Sequence, residues 1–360
     1  MLGMKWSKHK SYNPFQLFQH ASHVAMSVTK LLSRIIAPNL KEAEKQSTNM
    51  AATLHDHTYG ITSDPLTQFA TVFSALIHDV DHTGVPNTQL IQENPALAAI
   101  YKNRSVAEQN SVDMAWNLLM EDRYQNLRQA IYQNAEEQQH FRQLVVNSVM
   151  ATDIMDKESK QLRNARWEKA FSETAAALKE SSKDATDRKA TIVIEHLLQA
   201  SDVSHTMQHW HVYRKWNERF FAECYKAYQE GRAEKNPADN WYEGEKGFFD
   251  FYIIPLAKKL RECGVFGVSS DEYLNYAIQN RKEWEVRGPE VVSEMVEQLE
   301  RELAAASPVQ SRRASKGKGG GTLKSQSCHF PSSPVKRAIG LSMERAVSVE
   351  DLMEYMDADL

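Results

Sequence analysis

The chain has 360 residues, 42% of them hydrophobic, and a formal net charge of −4. That content suffices for one large core, and the mildly acidic balance excludes bulk attraction to nucleic acid. No apolar run approaches the length of a membrane span, and the opening Met1-Leu2-Gly3-Met4-Lys5-Trp6 is too short and polar for a signal peptide. Three widely spaced cysteines, Cys224, Cys263 and Cys328, offer no disulfide framework or thiolate metal spacing, which fits a reducing, cytoplasmic compartment. Long helical patterns dominate, strand alternation is scarce and no repeat is visible, so the expected class is all-α.

Residues 1–12 form a short lead. Asn13-Pro14 opens a helical segment through Phe15, Phe18, His20, Val24, Val28, Leu31 and Leu32. His20 lies among its apolar residues, the place for a core histidine or a buried ligand. His55-Asp56-His57 follows in a polar stretch ending at Tyr59-Gly60, and reads as a solvated loop. Asp64 can then cap a helix with Pro65 at its first position. Leu66, Phe69, Ala70, Phe73, Leu76 and Ile77 recur at helical spacing and deliver His78-Asp79-Val80-Asp81-His82. An uncompensated carboxylate at a buried helix end is expensive. A histidine beside a carboxylate supplies two metal ligands of different hardness, so partners must come from elsewhere. One is His20. Another is Asp202, where Ile192-Val193-Ile194 and Leu197-Leu198 lead into Ala200-Ser201-Asp202. Two imidazoles and two carboxylates, with water completing the sphere, make an open site of hydrolytic type.

Pro289 is expected to restart a helix through Val291, Val292, Met295, Leu299 and Leu303, with order ending near Ala306. Residues 307–340 hold seven Lys or Arg and no acid, a composition that cannot bury enough apolar surface to fold alone. Residues 348–356 read as a short acidic amphipathic helix or a frayed tail. Arg312-Arg313-Ala314-Ser315 resembles a basic-directed kinase site, with Ser315 as acceptor. The sequence does not set the oligomeric state.

Five blocks in order resemble the class I 3′,5′-cyclic-nucleotide phosphodiesterases, built on the HD-type helical metal-hydrolase scaffold. They are His78-Asp79-Val80-Asp81-His82-Thr83-Gly84 with Asn87; Tyr101 with Arg104-Ser105-Val106 and Glu108; Ala151-Thr152-Asp153; Ala200-Ser201-Asp202 with Ser204 and Tyr213-Arg214-Lys215-Trp216; and Gly247-Phe248-Phe249-Asp250 with Pro255-Leu256. The resemblance covers roughly residues 13–300, and the catalytic domain is set at 13–306, with 307–360 as a disordered basic tail. Members of the family carry further helices before the Asn-Pro block, so the chain is expected to be truncated at its N-terminus. A missing region could anchor it elsewhere than the cytoplasm.

The resemblance implies a cyclic nucleotide as substrate, hydrolysed by a water activated between two divalent ions. It implies Zn²⁺ at a tighter site held by His20, His78, Asp79 and Asp202, with Mg²⁺ or Mn²⁺ at a second site bridged by Asp79. His82 and Glu108 would orient water and phosphate, and Phe248 would clamp the base. Two positions depart from the family pattern. Glu245 replaces a glutamine that reads the base edge; an ionised carboxylate only accepts hydrogen bonds, whereas an amide also donates. That leaves cyclic AMP against cyclic GMP open, with cyclic GMP favoured if Glu245 is ionised. Gln16 replaces the general-acid histidine, which would weaken turnover. His23, on the same helix face, is a candidate substitute acid, or else a histidine that supports the site or lies at the surface. A pseudo-phosphodiesterase that binds metals and nucleotide is the leading alternative, and another HD-type phosphohydrolase the next.

Overall fold

The computed structural model describes residues 14–35, 55, 57–171, 183–266 and 270–306. The expectations for residues 1–12, Ser315, Cys328 and the 348–356 segment lie outside these. Every regular element among the described residues is helical. The helices are α1 (Pro14–Ser33), α2 (Pro65–Ile77), α3 (Asn87–Glu93), α4 (Pro95–Ile100), α5 (Val106–Met120), α6 (Gln125–Ile131), α7 (Ala135–Met150), α8 (Lys157–Phe171), α9 (Lys183–Asp202), α10 (Trp210–Gln229), α11 (Trp241–Phe248), α12 (Ile254–Glu262) and α13 (Ser270–Ala306). None is long and apolar enough to cross a membrane. The chain divides into two units, Met1–Leu299 and Glu300–Leu360; of the second, residues 300–306 are described and helical.

Helix α2 starts as the sequence requires. The Asp64 carboxylate accepts the Leu66 N–H at 3.0 Å, satisfying a donor that would otherwise be orphaned, and Pro65 occupies the first turn. Ala70, Phe73 and Ile77 face the core. Helices α1, α2 and α9 pack against one another, and α7 covers both α2 and α9. Val24, Val28 and Leu31 of α1 and Ile192–Ile194, Leu197 and Leu198 of α9 are buried where these helices meet. Because α2 ends beside His78 and α9 ends on Asp202, the mutual packing carries both ends to one place.

The histidines at 55 and 57 behave differently from each other. The solvated loop expected here is overturned, since both residues are helical, with the turn starting only at Thr58; His55 is exposed and its Nδ1 bonds the Ser63 hydroxyl at 2.6 Å. His57 is half-buried and its Nε2 has no hydrogen-bond partner among the described residues.

Helix α13 overturns one expectation. It runs continuously through Pro289 instead of restarting there. Proline lacks the N–H that would bond the carbonyl four residues earlier, here Glu285. The Tyr242 hydroxyl donates to that carbonyl at 3.1 Å, so the freed acceptor is satisfied by another helix. Gly288 makes room for the ring. A Cβ there would lie 2.7 Å from Tyr242 Cδ2 and 3.0 Å from Trp284 Cε2, and Trp284 is fully buried. Gly288→Ala should therefore destabilise the protein by about 1–3 kcal/mol, despite alanine's better helix propensity. Urea unfolding checks this, and an unchanged or raised midpoint would contradict the packing account.

Between α11 and α12 the chain makes a widened π-type turn, Phe249–Ile253, immediately before Pro255. Such turns absorb a proline's missing donor without ending the helical path. This one buries Phe249 and leaves Phe251 79% exposed.

Candidate active site

His20, His78, Asp79 and Asp202 converge. His20 Nε2 lies 2.9 Å from Asp202 Oδ1 and 3.6 Å from Asp79 Oδ2; His78 Nε2 lies 3.3 Å from Asp202 Oδ1 and 3.5 Å from Asp79 Oδ2. Four side chains from α1, the end of α2 and the end of α9 thus place two imidazole nitrogens and two carboxylate oxygens round one point.

The tautomer of His78 follows from its neighbours. Its Nδ1 lies 2.9 Å from the Ala75 carbonyl, which can only accept, so Nδ1 carries the hydrogen. Nε2 then turns a lone pair toward two carboxylate oxygens. It is buried and has no hydrogen-bond partner among the described residues. Lone pairs facing one another in a buried site are unfavourable unless a proton or cation lies between them. The protein's field expresses the same demand. Burial lowers the His78 pKa, yet the Asp79 and Asp202 charges outweigh it and push it up to about 10. Burial raises the pKa of Asp202, but the His20 and His78 rings beside it hold it well below the usual carboxylate range. His20, His78 and Asp202 form the one group among the described residues with the spacing to hold a metal ion. The donor set suits a divalent ion that accepts nitrogen and oxygen ligands.

The segment after α2 turns sharply. Asp81 has φ +63° and Gly84 φ +74°, both left-handed, and Asn and Asp tolerate that region best among non-glycines. The turn lets Gly84 N–H donate to His82 Nδ1 at 3.2 Å. The neutral His82 ring therefore carries its hydrogen on Nε2. His82 acts electrostatically on both Asp79 and Glu108. Glu108 stands in the first turn of α5 and accepts from Asn87 Nδ2 at 2.9 Å. Burial, reinforced by the Asp153 charge, raises its pKa to about 7.

Glu245, in α11, is buried and accepts the Tyr213 hydroxyl at 2.7 Å. Tyr213 is itself 3.5 Å from Asn217 Nδ2, and Asn217 Oδ1 accepts Trp241 Nε1 at 3.2 Å. Burial raises the Glu245 pKa to about 7, against hydrogen bonds from Tyr213 and Asn217 that lower it. Phe248 stacks on Tyr252 with centroids 5.4 Å apart. Burial, then the nearby Asp202 charge, raises the Tyr252 pKa.

Gln16 lies in α1 one turn before His20, and its side chain is outside the described set. His23 packs near the site: its ring lies 4.9 Å from the Trp216 ring, and its Nε2 accepts the Gln208 amide at 3.3 Å. Burial, then the His20 charge, lowers its pKa to about 4. A proton on this ring is disfavoured, which counts against the substitute-acid reading.

Three site residues carried no role in the sequence reading. Asn87, Ser105 and Asp153 connect directly to Glu108 or to each other, through contacts 66 and 48 residues apart. Trp216, 5.9 Å from His20, packs one flank of the cluster. Their only sequence signal is membership of the resembling blocks.

The all-helical scaffold brings imidazoles and carboxylates from separate helices to one point, a donor set that could hold a metal ion. The particular family follows from comparison. The sequence profile of the 3′5′-cyclic nucleotide phosphodiesterase family matches residues 15–265, and the chain belongs to that family. Over 265 residues, 71% of the chain, it is 28% identical to the dual specificity calcium/calmodulin-dependent 3′,5′-cyclic nucleotide phosphodiesterase 1C of Mus musculus, Rattus norvegicus and Homo sapiens. The match covers 31%, 29% and 31% of those proteins, so the chain spans about a third of the length of these curated relatives.

Proposed function

We propose that this chain hydrolyses 3′,5′-cyclic nucleotides to 5′-nucleoside monophosphates, in signal transduction. The observation that carries the reading is the buried His78 Nε2, unpartnered and faced by two carboxylates, in a chain of this family. His20, His78, Asp79 and Asp202 would hold Zn²⁺, and Asp79 would share a second ion, Mg²⁺ or Mn²⁺. Bound there, the ions would supply Lewis acidity, lowering the pKa of water and neutralising phosphate charge.

The chain's own residues divide the remaining work. His82, with its hydrogen on Nε2, donates toward phosphate or water. Glu108 in its ionised form accepts a hydrogen bond from the attacking water and orients it. Phe248 and its partner Tyr252 offer an aromatic face to the base, while Glu245 offers a polar edge. Gln16 cannot deliver a proton, so departure of the 3′ oxygen depends on solvent. This last feature supports a second reading, a binding module that holds metals and nucleotide with little turnover.

Glu245 makes base choice pH-dependent. Below about 7 its carboxyl is protonated and both donates and accepts, as an amide does. Above that it only accepts, which suits the N1–H and 2-amino donors of guanine. The ratio of kcat/KM for cyclic GMP over cyclic AMP should rise as pH increases through about 7. In Glu245→Gln the ratio should be flat with pH. A wild-type ratio unchanged between about pH 6 and about 8.5 would contradict the assignment.

A further inference from the structure

Asp153 is 6% exposed, yet its carboxylate has four donors. Ser105 Oγ donates to Oδ2 at 2.7 Å and Asn87 Nδ2 to the same oxygen at 3.2 Å. The N–H groups of Met155 and Asp156 donate to Oδ1 at 3.0 and 3.2 Å. One side chain thereby ties the turn after α7 to the start of α3 and the start of α5.

Asn87 transmits the constraint. Its Oδ1 accepts the Ala107 N–H at 2.9 Å, which fixes which end of the amide is oxygen. Its Nδ2 must then point at the acids, giving one hydrogen to Glu108 Oε2 at 2.9 Å and one to Asp153 at 3.2 Å. The amide has no freedom left. Ser105 is held at φ +36°, a strained left-handed setting just before α5, and its hydroxyl is anchored on Asp153. The start of α5, and Glu108 in its first turn, are thus located by Asp153 along two routes.

We propose that Asp153 is a positioning residue for Glu108, fixing its carboxylate through the shared Asn87 amide and biasing it by its own negative charge. The proposal rests on the reading that Glu108 takes part in hydrolysis. Two carboxylates on one amide group repel, and a proton on Glu108 relieves the repulsion. Burial and the Asp153 charge act together to hold Glu108 near 7, while the Asn87 hydrogen bond and His82 oppose them. Since the ionised Glu108 is the accepting form, activity should gain an acid limb near this pH.

The test is Asp153→Asn in the full chain, read by two measurements. The first is the titration of the Glu108 carboxyl carbon in protein carrying carbon-13 glutamate, assigned by its loss in Glu108→Gln and recorded without added metal. The second is kcat/KM against pH for cyclic AMP hydrolysis. Removing the charge should lower the Glu108 midpoint by about one unit or more. The acid limb should move with it, and the plateau should fall by about tenfold as the Asn87 contact is lost. An unmoved midpoint overturns the proposal. A midpoint that moves while the acid limb stays put leaves the Asp153–Glu108 link standing and overturns the role of Glu108 in hydrolysis. If Asp153→Asn does not fold, Ser105→Ala carries the test. It withdraws a donor from Asp153, so its charge bears harder on Glu108 and the midpoint should rise; a fall or no change overturns the proposal.

Discussion

Asp79→Ala should lose both metal and activity, the latter by at least about a thousandfold. Asp79 Oδ2 faces His20 Nε2 and His78 Nε2 within 3.6 Å, and it is the carboxylate assigned to both ions. Lewis-acid stabilisation is worth several kcal/mol, and each 1.4 kcal/mol is tenfold in rate. The control is two residues away in the same motif. Asp81 accepts a long 3.4 Å contact from Asn110, and its left-handed backbone is one that asparagine tolerates. Asp81→Asn should keep its metal and lose less than about tenfold in rate. Metal content by mass spectrometry and steady-state kinetics read both variants. Metal retained at full occupancy in Asp79→Ala would refute the assignment of the site.

Gln16→His should act in the opposite direction. Residue 16 sits one helical turn before His20 in α1, so a side chain there shares its face. An imidazole in that position could protonate the departing 3′ oxygen, a contribution worth ~10²–10⁴-fold when well placed. We expect kcat to rise by ~10-fold or more, with Leu17→Asn added to help orient the ring. Metal content should stay the same, because His20 and its partners are untouched. A wild type that already turns over rapidly, and gains nothing from either substitution, would show that another group supplies the proton. His23 is poorly suited to that task, being packed on Trp216 and accepting from Gln208.

The convergence of His20, His78, Asp79 and Asp202 was legible because each part has a local signature. An apolar helix that ends on a histidine or a carboxylate is visible as spacing, and burial makes an unpaired charge there costly. Asp64-Pro65 was legible for the same reason, since a cap and a first-turn proline are neighbours in sequence. The Glu108 cluster was not. Asn87, Ser105 and Asp153 are ordinary polar residues one by one, and only the fold shows that a single amide bridges two acids. The continuity of α13 was hidden similarly. Proline at 289 breaks a helix by every local rule, and the hydroxyl that satisfies Glu285 comes from Tyr242, 43 residues earlier. Whether Glu245 is ionised stayed open in the sequence, because burial cannot be seen there. Burial raises its pKa to about 7 and gives it two states near neutral pH.

The central claim is turnover, and the direct measurement is formation of 5′-AMP and 5′-GMP from the cyclic nucleotides by the metal-replete 360-residue chain. The account predicts product from at least one of them, dependent on divalent metal, abolished by Asp79→Ala and increased by Gln16→His. Cyclic nucleotide bound, with no product from the wild type or from the Gln16→His, Leu17→Asn double variant, would contradict it and establish the binding module instead.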